Sequence, residues 1–194
     1  AMGMEGHSGQ LATQTRLYAA LASRPALATA CETGFGAGFS SVTMLHANPG
    51  LSVHSFDLGE LRGVSVGEAF VHERFPRRLS LTRGDSSWTV PEYVAAHPEL
   101  RCDLVHIDGG HFDFVPWNDI VEIARASHAG TLVLIDDYPS LGDVARAVTT
   151  AVRAGMLEQL ACWNSIDFDD NTRGRHLRGF CAFRYTAAAV EAAR

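Results

Sequence analysis

Short apolar runs alternate with stretches of helical periodicity along most of the chain. Residues 11–23 read as a helix with Leu11, Tyr18 and Leu21 on one face, ended by Pro25. Residues 26–31 form a short strand that runs into a glycine-rich loop, and residues 40–46 the helix after it. Four more strands are predicted, at 51–56, 79–82, 104–107 and 131–135. They end at Asp57, at Gly84-Asp85-Ser86, at Asp108-Gly109-Gly110-His111 and at Asp136-Asp137. Helical patterns at 64–75, 91–97 and 117–127 separate them, with Pro91 suited to a first helical turn. Ser140 followed by Asp143 resembles a capping box, opening a helix in which Leu141, Val144, Ala145, Val148 and Val152 keep the helical period. Residues 157–165 and 179–185 are strand-like, and the polar stretch 167–178 joins them, so an antiparallel hairpin is expected. Alternating strands and helices predict an α/β fold with a parallel sheet, helices on both faces and an antiparallel end.

Composition narrows the class. At 194 residues, 46% hydrophobic and 20% charged, the chain is expected to be a single globular domain over 1–194. Residues 1–10 are expected to be flexible, with Ala1-Met2-Gly3 as an expression remnant. The net charge of −6 argues against a nucleic-acid partner. No apolar run reaches membrane-spanning length and no signal peptide is visible, so no membrane partner and a cytoplasmic location are expected. All 16 basic residues are arginine, so no lysine is available as a base or nucleophile. Cys31, Cys102, Cys162 and Cys181 are scattered without C-x-x-C spacing and read as buried thiols in a reducing compartment.

The glycine loop, Glu32-Thr33-Gly34-Phe35-Gly36-Ala37-Gly38, is the strongest chemical signal. Glycines there permit a tight turn and close approach of backbone N–H groups to a ligand, so Gly34, Phe35, Gly36 and Gly38 are candidate binding positions. Glu32 could hold an ammonium group and would repel a dinucleotide pyrophosphate. The alternative is a structural turn in another α/β fold. Asp57 ends the next strand, where an acid can accept both ribose hydroxyls of an adenosine, with Glu60 as a fallback. Asp85 and Ser86 could reach the base edge, or simply form a turn.

A second constellation is acidic. Neighbouring parallel strands would bring Asp108, Asp136 and Asp137 to one edge of the cleft. Clustered carboxylates repel one another and raise their own pKa values, a conflict that a divalent ion such as Mg²⁺ resolves. Helix capping and solvated acids are the alternative. His111 faces the same cleft, and its ordinary pKa of about 6.5 suits a base near neutral pH; a ligand or loop-stabilising role stays open. His106, inside a strand, reads as a satisfied core residue.

Together with Phe56-Asp57, Gly84-Asp85-Ser86, the run from Asp103 to His111 and Leu134-Ile135-Asp136-Asp137-Tyr138, the glycine loop resembles one group. The chain is similar, over about residues 25–140, to class I methyltransferases of the methyltransferase-24 type. These are related to macrolide-sugar O-methyltransferases and cephalosporin-hydroxylase-like proteins. The resemblance implies a Rossmann-like, mostly parallel seven-stranded sheet ending in an antiparallel hairpin, and an S-adenosylmethionine cofactor. It places Mg²⁺ on Asp108 with Asp136 or Asp137, and the base on His111. It also implies O-methylation of a small-molecule acceptor in bacterial secondary metabolism. Metal-free methylation and a cofactor-retaining protein without methyl transfer remain alternatives. The sugar enzymes carry longer N-terminal extensions than this chain. The acceptor is therefore expected to be small or exposed, or a second subunit of a homo-oligomer to complete the site. Asp167, Asp169, Asp170, Asn171, Arg173, Arg175 and His176 could contact it.

Overall fold

The structure is a computed structural model that describes residues 12–140, 142–169 and 174–193, with side chains described outside 164–178. The chain order is α1 (Ala12–Ala22), β1 (Thr29–Thr33), α2 (Phe39–Ala47), β2 (Ser52–Asp57), α3 (Arg62–Arg74), β3 (Leu79–Arg83) and α4 (Ser86–Ala96). It continues with β4 (Cys102–Ile107), α5 (Val115–Ala124), β5 (Ser127–Asp136), α6 (Gly142–Arg153), β6 (Leu157–Asp169), β7 (Gly174–Tyr185) and α7 (Ala187–Ala193).

The seven strands form one sheet in the order β3-β2-β1-β4-β5-β7-β6. The first five are parallel, and β7 pairs antiparallel with both β5 and β6. Parallel strands covered on both faces bury every residue, so β4 reads Cys-Asp-Leu-Val-His-Ile with little alternation. One face carries α1, α2 and α3, through Tyr18, Ala22, Met44, Leu45, Val64 and Val71. The other carries α4 to α7, through Val90, Ile120, Ile123, Val144, Val148 and Ala189. Strand order reverses between β1 and β4, and a crevice opens there at the carboxyl ends.

Several local expectations need correction. Helix α4 begins at Ser86, capped by the Asp85 side chain, so Pro91 lies inside the helix rather than in its first turn. Ser140 forms no capping box: its hydroxyl is buried without a partner among the described residues, while Asp143 accepts from the Asp113 backbone N–H. On α6 the buried stripe is Val144, Ala147, Val148 and Ala151, and Val152 is exposed. The stretch 167–178 is mostly strand, because β6 and β7 pair from Leu157↔Tyr185 out to Asp169↔Gly174. Asp170, Asn171 and Arg173, the side chains of Asp167, Asp169, Arg175 and His176, and residues 1–10 lie outside what is described. The cysteines are paired, not free. Cys31–Cys102 joins β1 to β4 with Cα atoms 5.8 Å apart, and Cys162–Cys181 joins register partners on β6 and β7 at 4.1 Å. Sequence separations of 71 and 19 conceal both pairings.

Helix α3 lies directly against the glycine loop. A Cβ on Gly67 would stand 2.4 Å from the Ala37 carbonyl oxygen, whereas one on Gly63 would make an ordinary 3.5 Å contact with Ala37 Cβ. Gly67→Ala is therefore expected to lower stability by about 1–3 kcal/mol through overpacking. Gly63→Ala should be neutral or slightly stabilising, since alanine favours a helix over glycine. Thermal denaturation of the two variants reads the difference; equal midpoints would show that α3 does not bear on the loop.

Candidate active site

The crevice is a cavity of about 430 Å³ lined by the glycine loop, the ends of β2 and β3, and the loop after β4. Gly34, Gly36 and Gly38 all have positive φ, at 84°, 54° and 81°. At Gly34 a side chain is impossible for a second reason: its Cβ would fall 1.9 Å from the Asp108 carbonyl oxygen. The ends of β1 and β4 thus touch, and Asp108 is placed by the glycine loop itself.

Gly34, Phe35, Gly36, Asp57, Glu60, Ser86, Asp108 and His111 line the cavity. Gly38 opens α2 just behind it. Asp57 already accepts from Gly36 N–H at 2.9 Å and Gly59 N–H at 2.7 Å, so it shapes the loop that faces it. Asp85 is exposed and accepts from Ser87 N–H at 2.9 Å; it is not part of the lining.

Glu32 lies behind the glycine loop, outside the cavity lining. Its carboxylate is fully buried and accepts from the hydroxyls of Ser40, Ser41 and Ser55 and from His106 Nδ1. Four donors thus converge on it from within the protein. It anchors the loop from behind. Burial pushes its pKa up, but the hydrogen bonds from His106, Ser40 and Ser41 outweigh that and leave it lowered.

The hydrogen-bond directions extend this network to the acidic cluster. Tyr18 Oη lies 2.9 Å from His106 Nε2, and Gln14 Nε2 donates to both Tyr18 Oη and Asp136 Oδ2 at 2.8 Å. An amide nitrogen has two hydrogens, one for each acceptor, which leaves the phenol to donate to His106. His106 is the satisfied core residue expected of it.

The three aspartates do not form one group. Asp137 has φ of 59°, a left-handed conformation that aspartate tolerates better than most residues. This turn separates it from Asp136, whose oxygens accept from Gln14 and from the Asp137 N–H. Two clusters result, both including Asp108: one with His106 and Asp136, the other with His111 and Asp137. His111 Nε2 stands 3.6 Å from Asp108 Oδ1 and 3.2 Å from Asp137 Oδ2. Burial and the Asp136 charge raise Asp108 to about 6. Asp136 is raised for similar reasons, by burial and by Asp137. His111 is raised by the Asp108 side chain, against burial and with further help from Asp137.

The sequence reading passed over Gln14 on α1 and Asp119 on α5, and took Tyr18 for its apolar face alone, without its hydroxyl. Each is a polar group on an otherwise apolar helical stripe, which is the signal that could have found it. Asp119 is 1% exposed, and burial raises its pKa to about 6.

A family model described as a methyltransferase domain, of the methyltransferase-24 type, matches residues 31–138, more than half of the chain. The chain belongs to that family of S-adenosylmethionine-dependent methyltransferases. Solved structures share the fold. An O-methyltransferase from Bacillus cereus in complex with SAH superposes with a TM-score of 0.72 at 12% identity, covering 90% of this chain and 81% of that one. The O-methyltransferase TomG from Streptomyces achromogenes, involved in tomaymycin synthesis and bound to SAM, gives 0.71 at 17%, covering 91% and 81%. The [4+2]-cyclase SpnF gives 0.62 at 13%, covering 90% and 81%. No curated protein sequence matches. Among the described residues of this methyltransferase, no helix is long and apolar enough to cross a membrane.

The raised acids and histidines set a pH dependence with one sign. An acid whose folded pKa is raised binds more protons folded than unfolded between its unfolded and folded pKa values, and so does a histidine whose pKa is raised. Both kinds of group therefore make stability fall as pH rises. Asp108 gives up this contribution mainly between about pH 4 and pH 6, and His111 above about pH 6.5. In EDTA the protein is therefore expected to resist urea better at pH 5 than at pH 8, and Asp108→Asn should flatten the difference. Greater stability at pH 8 would contradict this charge arrangement.

Proposed function

We propose that this methyltransferase transfers the methyl group of S-adenosylmethionine to a hydroxyl of a small molecule. In this reading Asp108 and Asp137 hold a divalent cation, with Asp136 behind them, and His111 takes the hydroxyl proton. The observation that carries it is the placement of Asp108, His111 and Asp137, which bring ligand atoms within 4.8 Å of one another at the cavity edge. Two carboxylates, completed by waters and the acceptor's hydroxyl, suit a hard divalent ion such as Mg²⁺ and leave the His111 imidazole to act as the base. A bound cation would neutralise the acids and lower the pKa of a coordinated hydroxyl.

The protein's own contribution is mainly alignment. In this reading the glycine loop and Asp57 hold the cofactor's amino-acid and ribose portions, and the acids after β4 and β5 face its methyl group, an assignment supported by the contact between the ends of β1 and β4. Orientation of this kind supplies up to about 7–11 kcal/mol of a barrier. His111 Nε2 accepts the proton as the oxygen attacks, a role typically worth about 10²–10⁴-fold. Phe39, Leu58, Leu61 and Phe112 line the mouth and remain more than a third exposed. They suit an acceptor with an apolar face, held at the surface or covered by a second subunit. The O-methyltransferase neighbours, one of them involved in tomaymycin synthesis, support a role in secondary metabolism.

Formation of S-adenosylhomocysteine across a panel of small phenols, vicinal diols and sugars tests the reaction. Turnover should stop in EDTA and return with Mg²⁺; turnover unchanged by EDTA would leave His111 between two acids as a metal-free base. His111→Ala should lower kcat by about 10²–10⁴-fold with little change in cofactor affinity. Asp137→Asn should weaken Mn²⁺ binding, read by electron paramagnetic resonance without any acceptor present.

A further inference from the structure

Gln14 is a buried carboxamide on α1 that reaches the acidic edge of the site from outside the sheet. Its Nε2 donates to Tyr18 Oη and to Asp136 Oδ2, both at 2.8 Å. The phenol lies 2.9 Å from His106 Nε2, and His106 Nδ1 lies 3.1 Å from Glu32 Oε1. This chain of bonds fixes which way the amide points. Turned over, it would set Gln14 Oε1 against a carboxylate and against a phenol oxygen whose hydrogen is already given to His106, acceptor against acceptor on both sides. Gln14 can therefore only donate to Asp136, and at 2% exposure it has little room to swing away.

Asp136 is thereby held on both oxygens, Oδ2 by Gln14 and Oδ1 by the Asp137 N–H at 3.0 Å. Asp108, His111 and Asp137 bring ligand atoms within 4.8 Å of one another, and Asp136 does not belong to that group. The group that does include Asp136 depends on His106, whose two ring nitrogens are engaged by Glu32 and Tyr18. The acids at the ends of β4 and β5 thus offer a cation two carboxylates rather than three.

That count bears on which cation fits. Ca²⁺ takes about six to eight oxygen ligands and is held more tightly as carboxylates are added, whereas Mg²⁺ makes do with about two carboxylates and keeps several waters. We propose that Gln14 is a positioning residue for cation selectivity, holding Asp136 outside the Asp108–His111–Asp137 group so that the site favours Mg²⁺ over Ca²⁺. The proposal rests on the reading of that group as a cation and base site. Without the Gln14 donor, Asp136 Oδ2 faces an apolar side chain, and a cation in front of it becomes the nearest compensation. A third carboxylate then serves the larger ion more than the smaller.

The test is competition of magnesium and calcium chloride against Mn²⁺, read by electron paramagnetic resonance on the full chain with no acceptor present. Gln14→Met, close in shape and without a donor, should raise Ca²⁺ affinity relative to Mg²⁺ by about tenfold. Adding Asp136→Asn should weaken both ions and return the ratio to the wild-type value. A merely structural glutamine would leave the ratio unchanged in Gln14→Met, and an Asp136 that already ligates the cation would lose both ions together; either result overturns the proposal. Should Gln14→Met not fold, Tyr18→Phe removes only the hydroxyl that pins the amide and should move the ratio in the same direction; an unchanged ratio there overturns it equally. Failure of the wild type to bind Mn²⁺ at all would instead remove the cation reading beneath it.

Discussion

A single buried carboxylate organises the crevice. Glu32 sits at the end of β1 with no exposed surface, gathering two serines from the first turn of α2, one from β2 and a histidine from β4. A charge so placed is tolerable only when every lone pair is engaged. The four donors are therefore fixed in space by the need to satisfy it. They come from the two strands that flank β1 and from a helix, so the same bonds bring the cofactor loop, its following helix and the reactive end of β4 into register. The glycines in front of it present backbone to the cavity because Glu32 holds them from behind.

The acidic edge depends on that anchor through α1. Gln14 and Tyr18 continue the hydrogen bonds of Glu32 and His106 as far as Asp136, and so tie the two ends of the active site by side chains alone. Gly34 ties them by backbone contact with Asp108. The burial that raises Asp108 to about 6 also makes it a strong claimant for any positive charge, whether His111 or a cation. Its mutual repulsion with Asp136 is part of the site's construction, while Asp137 turns aside in a left-handed conformation.

The strands and their terminal acids were readable because parallel strands buried on both faces are continuous apolar runs, and the chain must turn polar where they end. Positions 57, 108, 136 and 137 follow from that rule, and so do the sheet's parallel part and its antiparallel finish. What escaped depends on contacts distant in sequence. The Gln14–Asp136 bond spans 122 positions and no local pattern announces it. Glu32 carries the same residue type whether it faces a ligand or the core, and only the surrounding serines decide. The divergence of Asp136 from Asp137 is a backbone angle, invisible to periodicity. Helix α7 was missed because an alanine-rich tail lacks an apolar stripe, and the cysteines because pairing is a matter of strand register.

The hairpin of β6 and β7 stands apart from this economy of contacts. Among the described residues, every acid and histidine of the candidate site belongs to β1, β2, β4, β5 or the loops that follow them, while β6 forms the outer edge of the sheet. Cys162 and Cys181 join the two strands covalently at opposed positions, roughly midway between the sheet's core and the hairpin's tip. Slipping one strand past the other would require breaking that link. The outer half of the hairpin is thus free to vary in length and sequence while the inner half stays locked to β5. A lineage could exchange that outer part and keep the methyl-transfer machinery untouched.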